Sequence, residues 1–77
     1  MARPAKKPAK DPRLKTIGSR VRHFRNKQNI SQAAFADRVG LDRSYLSGIE
    51  RGMRAFSVTV LLDLAEALKV SPEQLLK

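Results

Sequence analysis

The side chains best suited to recognition chemistry lie along one edge of a short segment near the middle of the chain. At about 100° per residue, a helix beginning at residue 43 turns five residues outward, namely Arg43, Ser44, Ser47, Gly48 and Arg51. The Arg43 guanidinium matches guanine O6 and N7 in bidentate geometry, and a serine hydroxyl bonds to any base. A solvated helix face more often carries Glu and Lys than Ser-Ser-Gly. This narrow edge therefore favours insertion into the DNA major groove, which is about 12 Å wide.

The sequence offers no set of residues for catalysis, for a metal ion or for a cofactor. His23 is the only histidine and cysteine is absent, so neither a Ser-His-Asp set, a Cys-His set nor a zinc site is available. We expect His23 to be an exposed helix residue or a neighbour of phosphate. The expectation is a binding protein that uses no cofactor and is not an enzyme.

Positive charge is concentrated at the amino-terminal end. The chain has 16 Lys and Arg against 7 Asp and Glu, and residues 1–28 hold ten of the cations and one acid. This asymmetry indicates a polyanionic partner, either nucleic acid or an anionic membrane surface. The membrane is the weaker alternative, because the apolar stripe of the first helix is needed for the core. Without a signal peptide or a membrane span, we expect a cytoplasmic protein.

The pattern of apolar residues predicts one domain of five short helices, residues 11–77, after a basic arm. Residues 1–10 contain two prolines and four cations but no large hydrophobe beyond Met1. They predict a flexible arm, which is either a remnant or solubilising tail or a functional extension. The predicted helices run from Pro12 to about Lys27, from the Ser31 cap to Val39, from Arg43 to about Arg51, from Ser57, and from a Ser71 capping box to the chain end.

Only three residues, 40–42, separate the second and third predicted helices. A link this short forces the helices to cross steeply, because the chain cannot reverse for antiparallel packing. Gly40 supplies the positive φ of the turn, and Ala36 is small enough for the close approach. The angle between the helices is then sealed by apolar residues, which are Phe35, Val39, Leu41, Leu46 and Ile49.

This segment resembles the helix-turn-helix family of phage repressors and their relatives, position by position from Ile30 to Gly52. Residues 64–76 resemble the fourth and fifth helices of that family, so the resemblance covers about residues 14–76. Residues 41–51 are most similar to controller proteins of restriction–modification systems. The resemblance implies an all-α, five-helix repressor-like fold. It also implies a sequence-specific DNA-binding transcriptional regulator whose recognition helix, residues 43–51, enters the major groove.

The resemblance also implies roles for individual residues. The expected base-reading residues are Arg43, Ser44 and Ser47. The expected contacts with the DNA backbone come from Gln32, Tyr45, Arg51 and Arg54. Gln32 either lies against a phosphate and braces the start of the third helix or is an ordinary polar residue of a first turn. The Tyr45 ring packs in the core, its hydroxyl reaches a phosphate, or both. An ion pair between Arg25 and Glu50 would tie the first helix to the third.

One such unit reads only a few base pairs, so a single copy discriminates poorly. The resemblance implies a homodimer on double-stranded DNA, bound to a two-fold symmetric operator with half-sites about 34 Å apart. Candidates for the dimer interface are Phe56, Val58, Leu75 and Leu76, of which Phe56 and Val58 fit the core equally well. The alternative function is that of an antitoxin, in which the same fold binds its own promoter and a toxin protein. The sequence shows no obvious toxin-binding extension.

Overall fold

A computed structural model describes residues 11–77, and the predicted arm, residues 1–10, lies outside the described residues. The described part contains five helices: α1 Pro12–Lys27, α2 Gln32–Val39, α3 Arg43–Glu50, α4 Val58–Leu68 and α5 Pro72–Leu76. No strand occurs between residues 11 and 77, and no helix in this range is both long and apolar enough to span a membrane. The prediction of an all-α, five-helix fold is confirmed.

A polar residue precedes each helix, and before the first four helices its side chain binds an N–H group that the first turn leaves without a helical partner. At the starts of α1 to α4, the cap side chain accepts from a backbone N–H two or three residues later at 2.9–3.2 Å; these caps are Asp11, Ser31, Asp42 and Ser57. Before α5, the Ser71 N–H donates to the side-chain oxygen of Gln74 at 3.0 Å. The cap residues read from the sequence therefore mark where the helices begin.

Gly40 ends α2 in the left-handed conformation, with φ of 83°. Its N–H and that of Leu41 both donate to the Ala36 carbonyl at 2.8 Å. Since α3 begins at Arg43, the turn contains the three residues that the sequence predicts. α3 ends at Glu50, with Arg51 as its cap, which is one residue earlier than predicted.

All five helices contribute to one core. Its fully buried apolar residues are Val21, Phe35, Ala36, Leu46, Ile49, Leu64, Ala65, Leu68 and Leu75. The assignment of Leu75 to a dimer interface is wrong, because α5 packs against both α1 and α4 and turns this side chain inward. Phe56 is partly buried against the core. Val58 and Leu76 are exposed.

α1 and α3 approach each other closely at Gly18, which is buried in α1. A Cβ atom at this position would lie 2.1 Å from the carbonyl oxygen of Ile49 in α3. The sequence predicts Ala36 as the small residue at a helix crossing but does not predict the close approach at Gly18. The α1–α3 packing fixes the orientation of α3, and therefore of the residues proposed to read DNA.

Candidate nucleic-acid interface

One side of α3 is exposed while its opposite side is buried in the core. Arg43, Ser44 and Arg51 are exposed, and Ser47 between them is half-buried; we call these four residues the α3 edge. The Arg43 side chain makes no hydrogen bond or ion pair with any residue in the described range. The Arg51 Nε donates to the Ser47 carbonyl at 3.3 Å. The α3 edge therefore carries a free guanidinium at its amino-terminal end and two hydroxyl groups beside it.

Gly48 does not belong to this exposed edge, contrary to the prediction. It is buried because the side chain of Arg54 lies over it, and a Cβ at Gly48 would be 2.5 Å from Arg54 Cγ. The Arg54 guanidinium then reaches the face of the Tyr45 ring, with 5.5 Å between Cζ and the ring centroid. This distance is within the range of a cation–π contact. Arg54 is thus positioned alongside α3 by both Gly48 and Tyr45.

Tyr45 is held by contacts within the chain. Its ring is partly buried against the core, and its hydroxyl donates to the Ala55 carbonyl at 3.3 Å. The Tyr45 ring therefore packs against the core, which is one of the alternatives predicted from the sequence. The contact between the hydroxyl and a DNA phosphate stays a prediction.

Arg25 and Glu50 form the buried ion pair that the resemblance implies. The Arg25 Nε donates to Glu50 Oε2 at 2.7 Å, and Arg25 Nη2 donates to Glu50 Oε1 at 3.0 Å. Arg25 Nη1 also donates to the Ile30 carbonyl at 2.7 Å. The pair therefore joins α1, the following loop and the end of α3 through bidentate, charge-assisted hydrogen bonds.

Gln32 joins this network from the start of α2. Its Nε2 donates to Glu50 Oε1 at 3.1 Å, and its side chain is half-buried. Glu50 is the last residue of α3, so the expectation that Gln32 braces the start of α3 is wrong. The hydrogen bond instead joins the start of α2 to the carboxyl-terminal end of α3.

Asp42 and Ser44 interact at the amino-terminal end of the α3 edge. The Ser44 hydroxyl donates to Asp42 Oδ2, and the Ser44 backbone N–H donates to the same oxygen at 3.0 Å. The hydrogen bond from the Ser44 hydroxyl, followed in size of effect by the one from the Ser44 backbone N–H, holds the pKa of Asp42 below its ordinary value. The carboxylate is therefore ionised at neutral pH. The sequence predicts only the capping role of Asp42 and not its contact with the Ser44 hydroxyl.

The cations of α1 fall into two groups. Arg13 pairs with Asp11, Arg25 with Glu50, and the Arg20 Nε donates to the Gln74 carbonyl at 3.2 Å. The exposed cations of this helix that make no hydrogen bond or ion pair with the described residues are Lys15, Arg22 and Lys27. The second group keeps all of its side-chain donors free for contact with a polyanion.

The described residues hold no cluster of three or more His, Cys, Asp or Glu that could bind a metal ion. His23 is exposed and contacts the edge of the Phe24 ring, with 5.2 Å between the centroids. The structure therefore places His23 on the surface of α1, where the sequence analysis expected it.

Solved structures share this fold. The controller protein C.AhdI of a restriction–modification system, from Aeromonas hydrophila, aligns with a TM-score of 0.80 and 42% identity, over 84% of this chain and 98% of that one. SinR, a master regulator for biofilm formation that was crystallised in complex with DNA, aligns with a TM-score of 0.74 and 34% identity. That alignment covers 79% of this chain and 98% of the SinR chain.

Sequence comparisons lead to the same family. The HTH-type transcriptional regulator RamB of Mycobacterium tuberculosis is 44% identical over 54 residues, or 70% of this chain, which spans only 11% of the length of RamB. The family model described as helix-turn-helix matches residues 21–75. The resemblance seen in the sequence, including the similarity to controller proteins, is confirmed. The chain belongs to the helix-turn-helix family.

Proposed function

We propose that this protein is a sequence-specific DNA-binding regulator of transcription that inserts the α3 edge into the major groove. The proposal depends on one observation, the exposed Arg43 without an intramolecular partner on a helix whose other side is buried. The DNA complex of SinR supports this function, and the similarity to C.AhdI favours a controller-type regulator. Neither protein, nor RamB, favours the antitoxin alternative.

The side chains of the α3 edge that we assign to base recognition differ in length and in hydrogen-bonding chemistry. Arg43 is the longest of the base-reading side chains and offers only donors, which suit the two acceptors of guanine in the major groove. Ser44 and Ser47 are short and reach only bases that lie directly against the helix. α3 has eight residues and is therefore about 12 Å long. A helix of this length contacts a few base pairs.

The surroundings of α3 supply contacts with the DNA backbone. Arg54 and Arg51 lie beside the carboxyl-terminal half of α3, and we assign both to phosphates together with Tyr45. Gln32 uses one amide hydrogen on Glu50 and keeps a second for a phosphate near the start of α2. Further attraction independent of DNA sequence comes from the free cations of α1, which are Lys15, Arg22 and Lys27.

We propose that the regulator acts as a homodimer, with one copy of α3 on each half of a two-fold symmetric operator. α4 exposes Val58 and Leu62, which are 71% and 48% accessible and lie one helical turn apart on the same face. Leu61 between them is only half-buried. Contact with a second copy would remove this apolar face from water. The exposed Leu76 of α5 is a further candidate.

Replacement of Arg43 by alanine tests the proposed function. Loss of the bidentate contact with guanine removes about 1–3 kcal/mol of discrimination, so we expect preference for the cognate duplex over a scrambled one to fall about 5- to 150-fold. Competition binding by fluorescence anisotropy measures this ratio.

Arg38→Ala is the matched control, because it removes the same charge from an exposed position beside Asp63 and Glu66, away from α3. It should leave the preference unchanged. An Arg43→Ala protein that discriminated as well as the Arg38→Ala protein would rule out the proposed role of the α3 edge.

A further inference from the structure

We infer that Asp42 is a specificity-determining residue, which makes the Ser44 hydroxyl an acceptor for the exocyclic amino group of adenine or cytosine. The observation is the contact between the two side chains at the amino-terminal end of the α3 edge. The inference rests on the proposed function, because it requires α3 to lie in the major groove.

The Ser44 hydroxyl has a single hydrogen, and its direction decides what the group offers to a base. A hydroxyl group has one donor and two acceptor lone pairs, whereas an ionised carboxylate only accepts. Since the contact joins these two groups, the hydroxyl hydrogen lies toward Asp42 Oδ2. The Ser44 N–H donates to the same oxygen at 3.0 Å and keeps the carboxylate in place. Ser44 therefore presents only lone pairs to a base.

The negative charge of Asp42 lies beside the lone pairs of Ser44. Asp42 is exposed, and no ion pair joins it to Arg43 or to any other cation in the described part of the chain. Its negative charge repels the major-groove acceptors, which are N7 of both purines, guanine O6 and thymine O4. The same charge attracts the amino groups at adenine N6 and cytosine N4. Asp42 and Ser44 thus select A or C over G or T on the strand they face.

The neighbouring base-reading residues Arg43 and Ser44 differ in the hydrogen-bonding groups that they offer. Arg43 offers only donors and selects guanine, whereas Asp42 and Ser44 together offer only acceptors. A free serine would bond to any base and would discriminate weakly. The carboxylate converts Ser44 from a tolerant residue into a selective one.

Selection from a duplex pool with a randomised site tests the inference on the full chain, with wild type, Ser44→Ala and Asp42→Ser proteins. Serine is as good an N-cap as aspartate, so Asp42→Ser keeps the helix start while it removes the charge. Thermal melting checks that each variant is folded. The base pair read by Ser44 is the one whose preference disappears in Ser44→Ala.

At that base pair we expect wild type to select A or C on one strand. We expect the ratio of A and C to G and T to fall about three- to tenfold in Asp42→Ser, with preferences elsewhere retained. A wild-type preference for G or T there, an unchanged ratio in Asp42→Ser, or no position altered by Ser44→Ala would each overturn the inference. A wild-type protein that enriched no sequence would instead reject the proposed function, and the inference with it.

Discussion

At the scale of single residues, Glu50 is an acid on a helix proposed to face a polyanion. Its side chain is only 2% accessible, and both of its oxygens accept hydrogen bonds within the chain. The carboxylate therefore lies on the core side of α3, where it does not oppose phosphate. Its partners are Arg25 from α1 and Gln32 from α2, so one acid holds three helices together.

Glu50→Ala should destabilise the protein by about 3–5 kcal/mol, because it leaves the Arg25 guanidinium buried without its counter-ion. Urea unfolding followed by circular dichroism measures the change. Glu66→Ala removes an exposed acid from α4 and should change the free energy of unfolding by less than about 0.5 kcal/mol. Equal unfolding midpoints for the two variants would contradict a structural role for Glu50.

The sequence predicts some of these residue contacts and not others. The Arg25–Glu50 pair follows from the resemblance, and the direction of Arg43 follows from helical periodicity. Periodicity also places Gly48 outward, but it cannot show that the Arg54 side chain from the next loop covers this residue. The Asp42–Ser44 hydrogen bond is local in sequence. The capping pattern does not predict it, because that pattern describes Asp42 only as an acceptor for backbone N–H groups.

At the scale of helices, two glycines position α3 for different reasons. Apart from its chain neighbours, no residue lies within 4 Å of a Cβ built on Gly40, so the turn requires only its positive φ. Gly18 has an ordinary helical backbone, but it is in contact with the Ile49 carbonyl. The sequence predicts Gly40 because the turn is local. It could not predict Gly18, because the partner helix is about thirty residues away in sequence.

Gly18→Ala should destabilise the protein by about 1–3 kcal/mol, since the added methyl group would push α1 away from α3. This direction is informative, because glycine to alanine in a helix interior otherwise stabilises by about 1 kcal/mol. Ser19→Ala at the adjacent exposed position is the control and should be close to neutral. If Gly18→Ala raised the melting temperature, the close approach of the two helices would be refuted.

At the scale of the whole molecule, the 16 Lys and Arg residues outnumber the cations whose side chains are free to contact DNA. Within α1, Arg13, Arg20 and Arg25 are engaged with carboxylate or carbonyl oxygens of the same chain. Composition alone predicts a polyanionic partner, but only the packed structure separates the cations that stabilise the fold from those that remain free.

The apolar face of α4 gives a prediction about assembly. Val58→Glu combined with Leu62→Glu should convert a dimer into a monomer, because the two charges cannot be buried against a second copy. Both positions are exposed, so the fold of the single chain should be retained. Sedimentation velocity with and without operator DNA measures the change.

Thr59→Glu places one charge on an exposed position of the same helix outside this face and should leave the dimer intact. A wild-type protein that remained a monomer at high micromolar concentration, both free and with DNA, would reject the dimer.

The division of α3 into a buried side and an exposed edge also bears on how such a regulator changes its target. Arg43 and Ser47 donate no side-chain hydrogen bond that holds the fold, whereas Leu46, Ile49 and Glu50 are buried. In the proposed mode of binding, we expect mutations of Arg43 and Ser47 to change the preferred operator with little change in the free energy of unfolding, as is usual for surface substitutions. We therefore expect single substitutions to be enough for a new specificity, because the buried residues that orient α3 are left unchanged.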